Sequence, residues 1–412
     1  MKLPEKEASA YEAEHQNITE RLMREMPPFK EAEQILELVQ THFSLTAQDT
    51  RHPKVVILGS GFPEELVYAF GVTPYWVLGG SLQTGAWAGE LAPRDADPVS
   101  RSILGFLLGM DEAARDALIL LPIVSDSTRK LAYLLRRAGL KVHTIDIPPV
   151  KDEFAPAKYE RQLELCVEAL SAHTRKRLTL QALRSAAVSV ALARQEMSRL
   201  IQLDQEKPSL LPASWRMLAL NSYYFTDDIH HWTRMLAQLN NRVIISRIYQ
   251  RHQYHGNVLL AGSPVYFPNY KIPFLLEDVG LHIAAHIDYT AQKTRTALSV
   301  KDASNITLSS FARRFYHEDC SGAYANNETL QATISQALDD RDIEGVVYCV
   351  LKGQIEYDFE LERLEALCGQ RDIPVFRLET DYNQQDVEQL RIRMEAFSEM
   401  LRQRQYQKGV AV

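Results

Sequence analysis

Cysteine is scarce in this 412-residue sequence: Cys166, Cys320, Cys349 and Cys368 are the whole supply, and no two form a CxxC pair. Their spacing gives no disulfide framework and no paired-thiolate metal motif, so they read as ordinary reduced thiols. Long apolar runs are missing too. Stretches such as 117–124 fall far short of the ~20 residues a membrane span needs. The N-terminus, MKLPEKEASAYEAEHQ, is charged and has no apolar signal core. Nor is there an excess of positive charge. Lys and Arg number 46 against 53 Asp and Glu, a formal net charge of −7, which argues against nucleic acid or an anionic membrane surface as the main partner. The expectation is a soluble cytoplasmic protein. With 46% hydrophobic residues, the chain is long enough for two or three domains with substantial cores.

Several chemical signatures are also absent. No GxSxG elbow and no phosphate-binding P-loop occur. There is no tandem repeat and no low-complexity tract. The histidines make a poor metal site. His230 and His231 are adjacent, so a helix would point them different ways. His252 and His255 lack an acidic or thiol partner at ligand spacing.

What is present alternates between strand and helix. Residues 1–50 read as helical, broken by Pro27-Pro28. Short apolar runs at 55–58, 75–78, 117–121 and 141–147 read as strands, with a helix at 129–138. Pro63 suits the first turn of a helix, with Glu64 and Glu65 near its positive end. From about 148 to 239 strand signals vanish and helix patterns take over. Strand signals resume at 258–261, 282–286, 346–351 and 375–378, before a last helix at 386–400. This alternation implies parallel βαβ units. The expected organisation is a helical segment (1–50), a first α/β domain (51–150), a helical bridge (151–240) and a second α/β domain with a C-terminal helix (241–412). Both domains are expected to be flavodoxin-like parallel sheets.

Open parallel sheets bind ligands at the carboxyl ends of their strands. That rule selects the loops 59–64, 79–81, 125–128, 262–268, 286–290, 352–358 and 379–382, all able to line a cleft between the halves. The candidate lining residues are Glu64, Ser81, Asp97, Arg101, Ser125, Asp126, Tyr289, Gln354 and Asp381. Gly59-Ser60-Gly61 follows a strand, where backbone N–H groups can hold an anion such as a CoA phosphate or a carboxylate. The third glycine of a dinucleotide fingerprint is missing, however, and a tight turn is the simpler reading. In 125–128, Asp126 or Ser127 can cap the following helix. The Asp95-Ala96-Asp97-Pro98 turn offers two carboxylates for acid–base work, with a solvated loop as the default. Arg101 suits a phosphate or carboxylate, and an ion pair with Asp95 or Asp97 is the competing use.

A series of phrases in order resembles one known family. GFPEELVYAFGVTP, from Gly61, is similar to the "P-E-(L/I)-…-A-x-G-x-x-P" opening of the 2-hydroxyacyl-CoA dehydratases, which include 2-hydroxyglutaryl-CoA dehydratase and benzoyl-CoA reductase subunits. DPVSRS, from Asp97, resembles that family's "C-P-x-x-(R/K)-S". LPIVSDSTRK, from Leu121, resembles its "P-x-x-C-D-x-x-R". LAGSP from Leu260, PNYKI from Pro268, IPVFRLETDY from Ile373 and QLRIRMEAF from Gln389 match its second half. The resemblance covers about 50–405.

The resemblance implies a heterodimer of related subunits, each usually holding a [4Fe–4S] cluster by three cysteines, and an ATP-hydrolysing activator that delivers one electron. It implies a CoA thioester substrate, reduced to a ketyl radical that loses a β-hydroxyl, or an aromatic ring that is reduced. Here the chain departs from the pattern. The family cysteines fall on Asp97, on Ser125 and near Gln354, and a further variable one falls near Asp288 or Tyr289. Oxygen ligands replace soft thiolates poorly. The expectation is therefore a subunit that binds no cofactor itself and completes a cleft for acyl-CoA. The cluster would sit in a homologous, cysteine-bearing partner served by the activator. Two alternatives remain: a redox subunit holding a cluster by unusual ligands such as Asp97 and Ser125, and a repurposed, non-enzymatic two-domain binding protein.

Overall fold

The computed structural model describes residues 5–45, 53–93, 96–110, 115–206, 211–245, 254–290 and 298–407. Two separate four-stranded parallel sheets form the frame. The first contains β1 (Val55–Leu58), β2 (Tyr75–Val77), β3 (Leu118–Ile123) and β4 (Lys141–Asp146), in the order β2-β1-β3-β4. The second contains β5 (Gly256–Gly262), β6 (Leu281–Ile287), β7 (Gly345–Leu351) and β8 (Val375–Thr380), in the order β6-β5-β7-β8. Both orders are the 2-1-3-4 start of the flavodoxin-like arrangement, so the fold class expected from the sequence is what the chain adopts.

The strand residues account for the layering. In β7, Val347, Cys349 and Leu351 enter one core cluster while Val346, Tyr348 and Val350 enter another. Successive strand side chains point to opposite faces, so a near-continuous apolar run is what a sheet covered on both faces requires. One face of the second sheet shares a core with the first sheet and the helical middle segment. Its other face is covered by helices Glu328–Asp340 and Ile355–Gly369.

The helical segments match the expected pattern in outline and differ in detail. Helices Glu5–Arg24 and Lys30–Phe43 flank Pro27-Pro28. The middle segment supplies Ala155–Thr174, Leu180–Glu206, Ala213–Asn221 and Ile229–Ile245. After β1 the helix is only Glu65–Ala69, so Pro63 lies before its first turn rather than in it. The helices between β6 and β7, notably Leu308–Glu318 and Glu328–Asp340, carried no signal that we had resolved from the sequence. No helix among the described residues is long and apolar enough to cross a membrane.

Buried ionic groups tie the middle segment to the first sheet. Arg194, 2% exposed on helix Leu180–Glu206, lies 3.2 Å from Glu64 and 3.0 Å from Glu65. The Tyr223 hydroxyl donates to the same Glu64 carboxylate at 2.6 Å. The Glu5–Arg24 helix clamps both halves. Glu14 accepts from Ser81 Oγ at 2.5 Å and from the Leu82 N–H at 2.8 Å, on the first half. Arg21 reaches Asp278 at 2.7 Å on the second. Breaking a buried pair costs far more than the pair contributes, because a charge is left unpaired. Replacing Arg194 by Met is therefore expected to lower folding stability by about 3–5 kcal/mol, read from urea denaturation of the full chain.

Candidate functional site

The carboxyl ends of the two sets of strands face each other, and the loops that leave them meet. Ser60, after β1, donates from Oγ to the Tyr289 carbonyl at 2.8 Å and lies 3.3 Å from the Tyr266 hydroxyl. The approach is close. A Cβ on Gly61 would lie 1.4 Å from the Tyr289 hydroxyl, and one on Gly80 would lie 2.6 Å from the Phe267 carbonyl. Any side chain at either position would push the halves apart. The space that an anion at Gly59–Gly61 would need is thus filled by a tyrosine ring, and Gly59, at φ 72°, serves a tight turn, the simpler of the two readings.

The central contact is a hydrogen bond across the halves. Gln354 Nε2 donates to Asp97 Oδ1 at 2.8 Å, between residues 257 apart in sequence. Asp97 is the N-cap of helix Pro98–Gly109, accepting the N–H groups of Val99 at 3.1 Å and Ser100 at 2.9 Å. Gln354 stands at the N-cap of Ile355–Gly369. Ser125 caps Asp126–Arg137, accepting from the Thr128 N–H, while Thr128 Oγ1 accepts from the Ser125 N–H. All three positions where the resemblance leads one to expect family cysteines, Gln354 standing for the third only approximately, are therefore N-cap positions, each the start of a helix that leaves a loop at this junction. The Ser125 turn reaches the same region. A Cβ on Gly322 would lie 3.1 Å from Glu356 Cγ and 3.9 Å from the Val124 carbonyl.

Glu356 is the site residue that the sequence reading passed over, although it lies inside the selected loop 352–358. Burial, with a smaller contribution from the Asp97 charge, pushes its carboxyl up to about 7. Tyr382 and Tyr289 also face inward. Burial raises both phenols well above their ordinary range, and the Asp97 charge adds to the effect at Tyr382. Tyr289 Oη and Gln354 Oε1 are buried polar atoms with no hydrogen-bond partner among the described residues. A site rich in protonated carboxyl and phenol groups offers hydrogen-bond donors to a carbonyl oxygen, and Glu356 is placed to exchange a proton near neutral pH.

The other expected lining residues are used differently. Glu64 is fully buried against Arg194 and Tyr223, away from the junction. Ser81 caps helix Leu82–Trp87 and holds Glu14. Arg101 spends its guanidinium on the carbonyls of Gly85, Ala92 and Pro93 rather than on an anion. Among the described residues Arg101 makes no ion pair with Asp97; Asp95, the other proposed partner, lies outside the described residues. Asp97 is 4% exposed and so is no solvated loop residue. The 126–137 helix is capped by Ser125, not by Asp126 or Ser127; Asp126 is exposed in its first turn. Asp381 is paired with Lys352 at 2.9 Å, beside the junction. His252 lies outside the described residues, and His230 and His231 only donate backbone N–H groups to Asp228.

The donor set at the cysteine-equivalent positions does not suit an iron–sulfur cluster. It offers one carboxylate already bonded three times, one hydroxyl engaged in a cap and one amide. Among the described residues no group of three or more His, Cys, Asp and Glu is placed to hold a metal ion. Burial pushes the Cys349 thiol in β7 up to about 12 and the Cys368 thiol up to about 11, away from the thiolate a cluster needs.

Paired parallel sheets with a junction at their carboxyl ends define a class of two-lobed α/β proteins, and sequence comparison narrows it. Residues 60–401 match the family described as 2-hydroxyglutaryl-CoA dehydratase, D-component, and the chain belongs to that family. It is similar to the dehydratase subunit YjiM of Escherichia coli (strain K12), 24% identical over 90% of this chain and 97% of that protein. It is also similar to the (R)-phenyllactyl-CoA dehydratase beta subunit of Clostridium sporogenes, 21% identical over 82% of this chain and 89% of the relative.

Two outcomes test the site. In a double-mutant cycle of Asp97→Ala and Gln354→Ala, denaturation should report a coupling energy of about 0.5–3 kcal/mol, the range for residues in direct contact. Glu356 should make stability fall with rising pH. Its folded pKa is raised, so the native state keeps a proton that the unfolded chain has released. The contribution is full below the unfolded carboxylate range and is lost as pH rises through about 7. The decline should reach at most about 1.4 kcal/mol per pH unit and should be absent in Glu356→Gln, measured by denaturation between acidic and mildly alkaline pH.

Proposed function

We propose that this chain is the cluster-free subunit of a heteromeric dehydratase acting on a CoA thioester. The observation that carries the reading is the fate of the three cysteine-equivalent positions. Asp97, Ser125 and Gln354 are helix caps, and two of them are bonded to each other across the halves. A thiolate-bound cluster cannot share that space with those bonds. The redox centre, a [4Fe–4S] cluster, belongs in this reading to a homologous, cysteine-bearing subunit, and the ATP-dependent activator serves that subunit.

The junction then acts as a binding and proton-holding surface. Glu356 and Tyr289 present donors suited to a thioester carbonyl, and the buried setting strengthens such bonds. The alternative of a cluster held by Asp97 and Ser125 is disfavoured by the bonds those residues already make. The Clostridium sporogenes relative is a beta subunit by name, which supports assembly with a second chain.

Affinity purification of the tagged chain from its native host under anaerobic conditions tests the proposal. A cysteine-bearing homologue should co-purify, and the iron and acid-labile sulfide should track that partner. A colourless chain recovered alone, or a chain that by itself reconstitutes a cluster with visible charge-transfer absorption, would overturn it.

A further inference from the structure

A cavity whose lining includes neither Asp97 nor Gln354 is unaccounted for by the proposed activity. It has a volume of about 390 Å³ and opens between the helical middle segment and the outer edge of the second sheet. Protein interiors pack nearly without voids, and cavities of roughly 300–1,000 Å³ are the size that hold small molecules. Its lining is mixed: Ile201, Met217, Leu220 and Ile287 are apolar, and Gln202, Arg216, His286, Gln336 and Arg341 are polar.

The backbone here is irregular in a way that builds the cavity. In the β5–β6 ladder Val258 faces Ile283, but the next residue, Leu259, faces Ala285, so Ala284 is an extra residue in β6. Such bulges bend an edge strand and re-aim its side chains. The carbonyls of Ile283 and Ala284 are taken by Arg216 and Arg341 respectively, and Arg216 also pairs through Nη1 with the buried Asp204 carboxylate, so that a ligand anion would meet the remaining N–H donors of the two guanidinium groups. Two guanidinium groups, from elements far apart in sequence, thus converge beside one bulge. Just beyond it His286 lines the cavity, with its Nε2 3.0 Å from the fully buried carboxylate of Asp288. Asp288 is in turn fixed by the N–H groups of Val265, at 2.7 Å, and Thr290, at 2.9 Å. A carboxylate that holds one nitrogen of an imidazole sets the orientation of the ring.

We infer that this cavity is a second binding site, for a small organic carboxylate with an apolar body, separate from the junction of the two sheets. Its apolar side chains receive the body. Arg216, Arg341 and His286 receive the carboxylate, since a guanidinium has five N–H donors and a fork geometry that fits a carboxylate edge. One acidic side chain, Asp340, lines the cavity, and it stands exposed at the rim.

The test uses the full chain and two probes of the same shape, 3-phenylpropanoate and its neutral analogue 3-phenylpropanamide, followed by calorimetry and saturation-transfer NMR. The carboxylate should bind saturably, and the amide at least about tenfold more weakly. Ala337→Trp and Ile201→Trp fill the cavity from two different walls, so one of them keeps the test valid if the other fails to fold. Either should weaken 3-phenylpropanoate by about tenfold or more. Tyr133→Ala, at an exposed position outside the cavity lining, should leave binding unchanged. No saturable binding at millimolar concentration, equal binding of the amide, or undiminished affinity in the folded filled variants would each overturn the inference.

Discussion

The hydrogen bond from Gln354 to Asp97 stands where two parallel sheets are brought together end to end. Parallel strands send their loops and the following helix N-termini out of the same edge, so each half presents that edge to the other. Two positive helix ends would repel across such a junction. Asp97 relieves this by placing one carboxylate between them: it caps its own helix and accepts from the residue that opens the other. The tight passages at Gly61 and Gly80 follow from the same geometry, since backbone and rings from the opposing half occupy the space of a side chain.

The halves do not rely on that contact alone. The Glu5–Arg24 helix holds both, through Glu14 on one side and Arg21 on the other, and Trp215 donates to the Leu22 carbonyl at 2.9 Å. Lys151 links the end of the first half to the second through the carbonyls of His317 and Asp319 and the Thr329 hydroxyl. The charges in these links are partly buried, and each is matched by charged, hydroxyl or backbone partners that offset the cost of its desolvation. Such pairs specify one arrangement of the halves more than they add net stability.

The chemistry of the family and the chemistry of this junction diverge at a few atoms. A thiolate at a helix N-terminus is stabilised by the helix field, as a cluster ligand requires. A carboxylate and a hydroxyl at Asp97 and Ser125 satisfy their helix ends themselves, the Gln354 amide is spent on Asp97, and the pull on an external metal is lost. What remains is a buried set of hydroxyl and carboxyl groups, with Glu356 held protonated toward neutrality by its surroundings. The chain belongs to the 2-hydroxyglutaryl-CoA dehydratase D-component family, and the proposed reading has it keep the fold without a cluster at this junction.

The strands, their parallel sense and the helical middle segment were legible because a doubly covered sheet writes itself as short apolar runs between helices. Asp97, Ser125 and Gln354 were legible as a set through their place in an ordered series of phrases, and Tyr289 through its place at a strand end. What the sequence by itself could not settle was which polar side chains face the junction and which are consumed elsewhere. Glu64, Ser81 and Arg101 sit in loops as suitable as that of Gln354. Their partners, Arg194, Glu14 and the carbonyls of Gly85, Ala92 and Pro93, are drawn to them only by the packing of other elements. Glu356 lacked a signal for the same reason, because its shift arises from burial against the opposite half. Local pattern determines which elements form, since strand and helix periodicity are local. The use of a polar group is decided by its nearest partner, and the nearest partner is fixed only when the chain closes on itself.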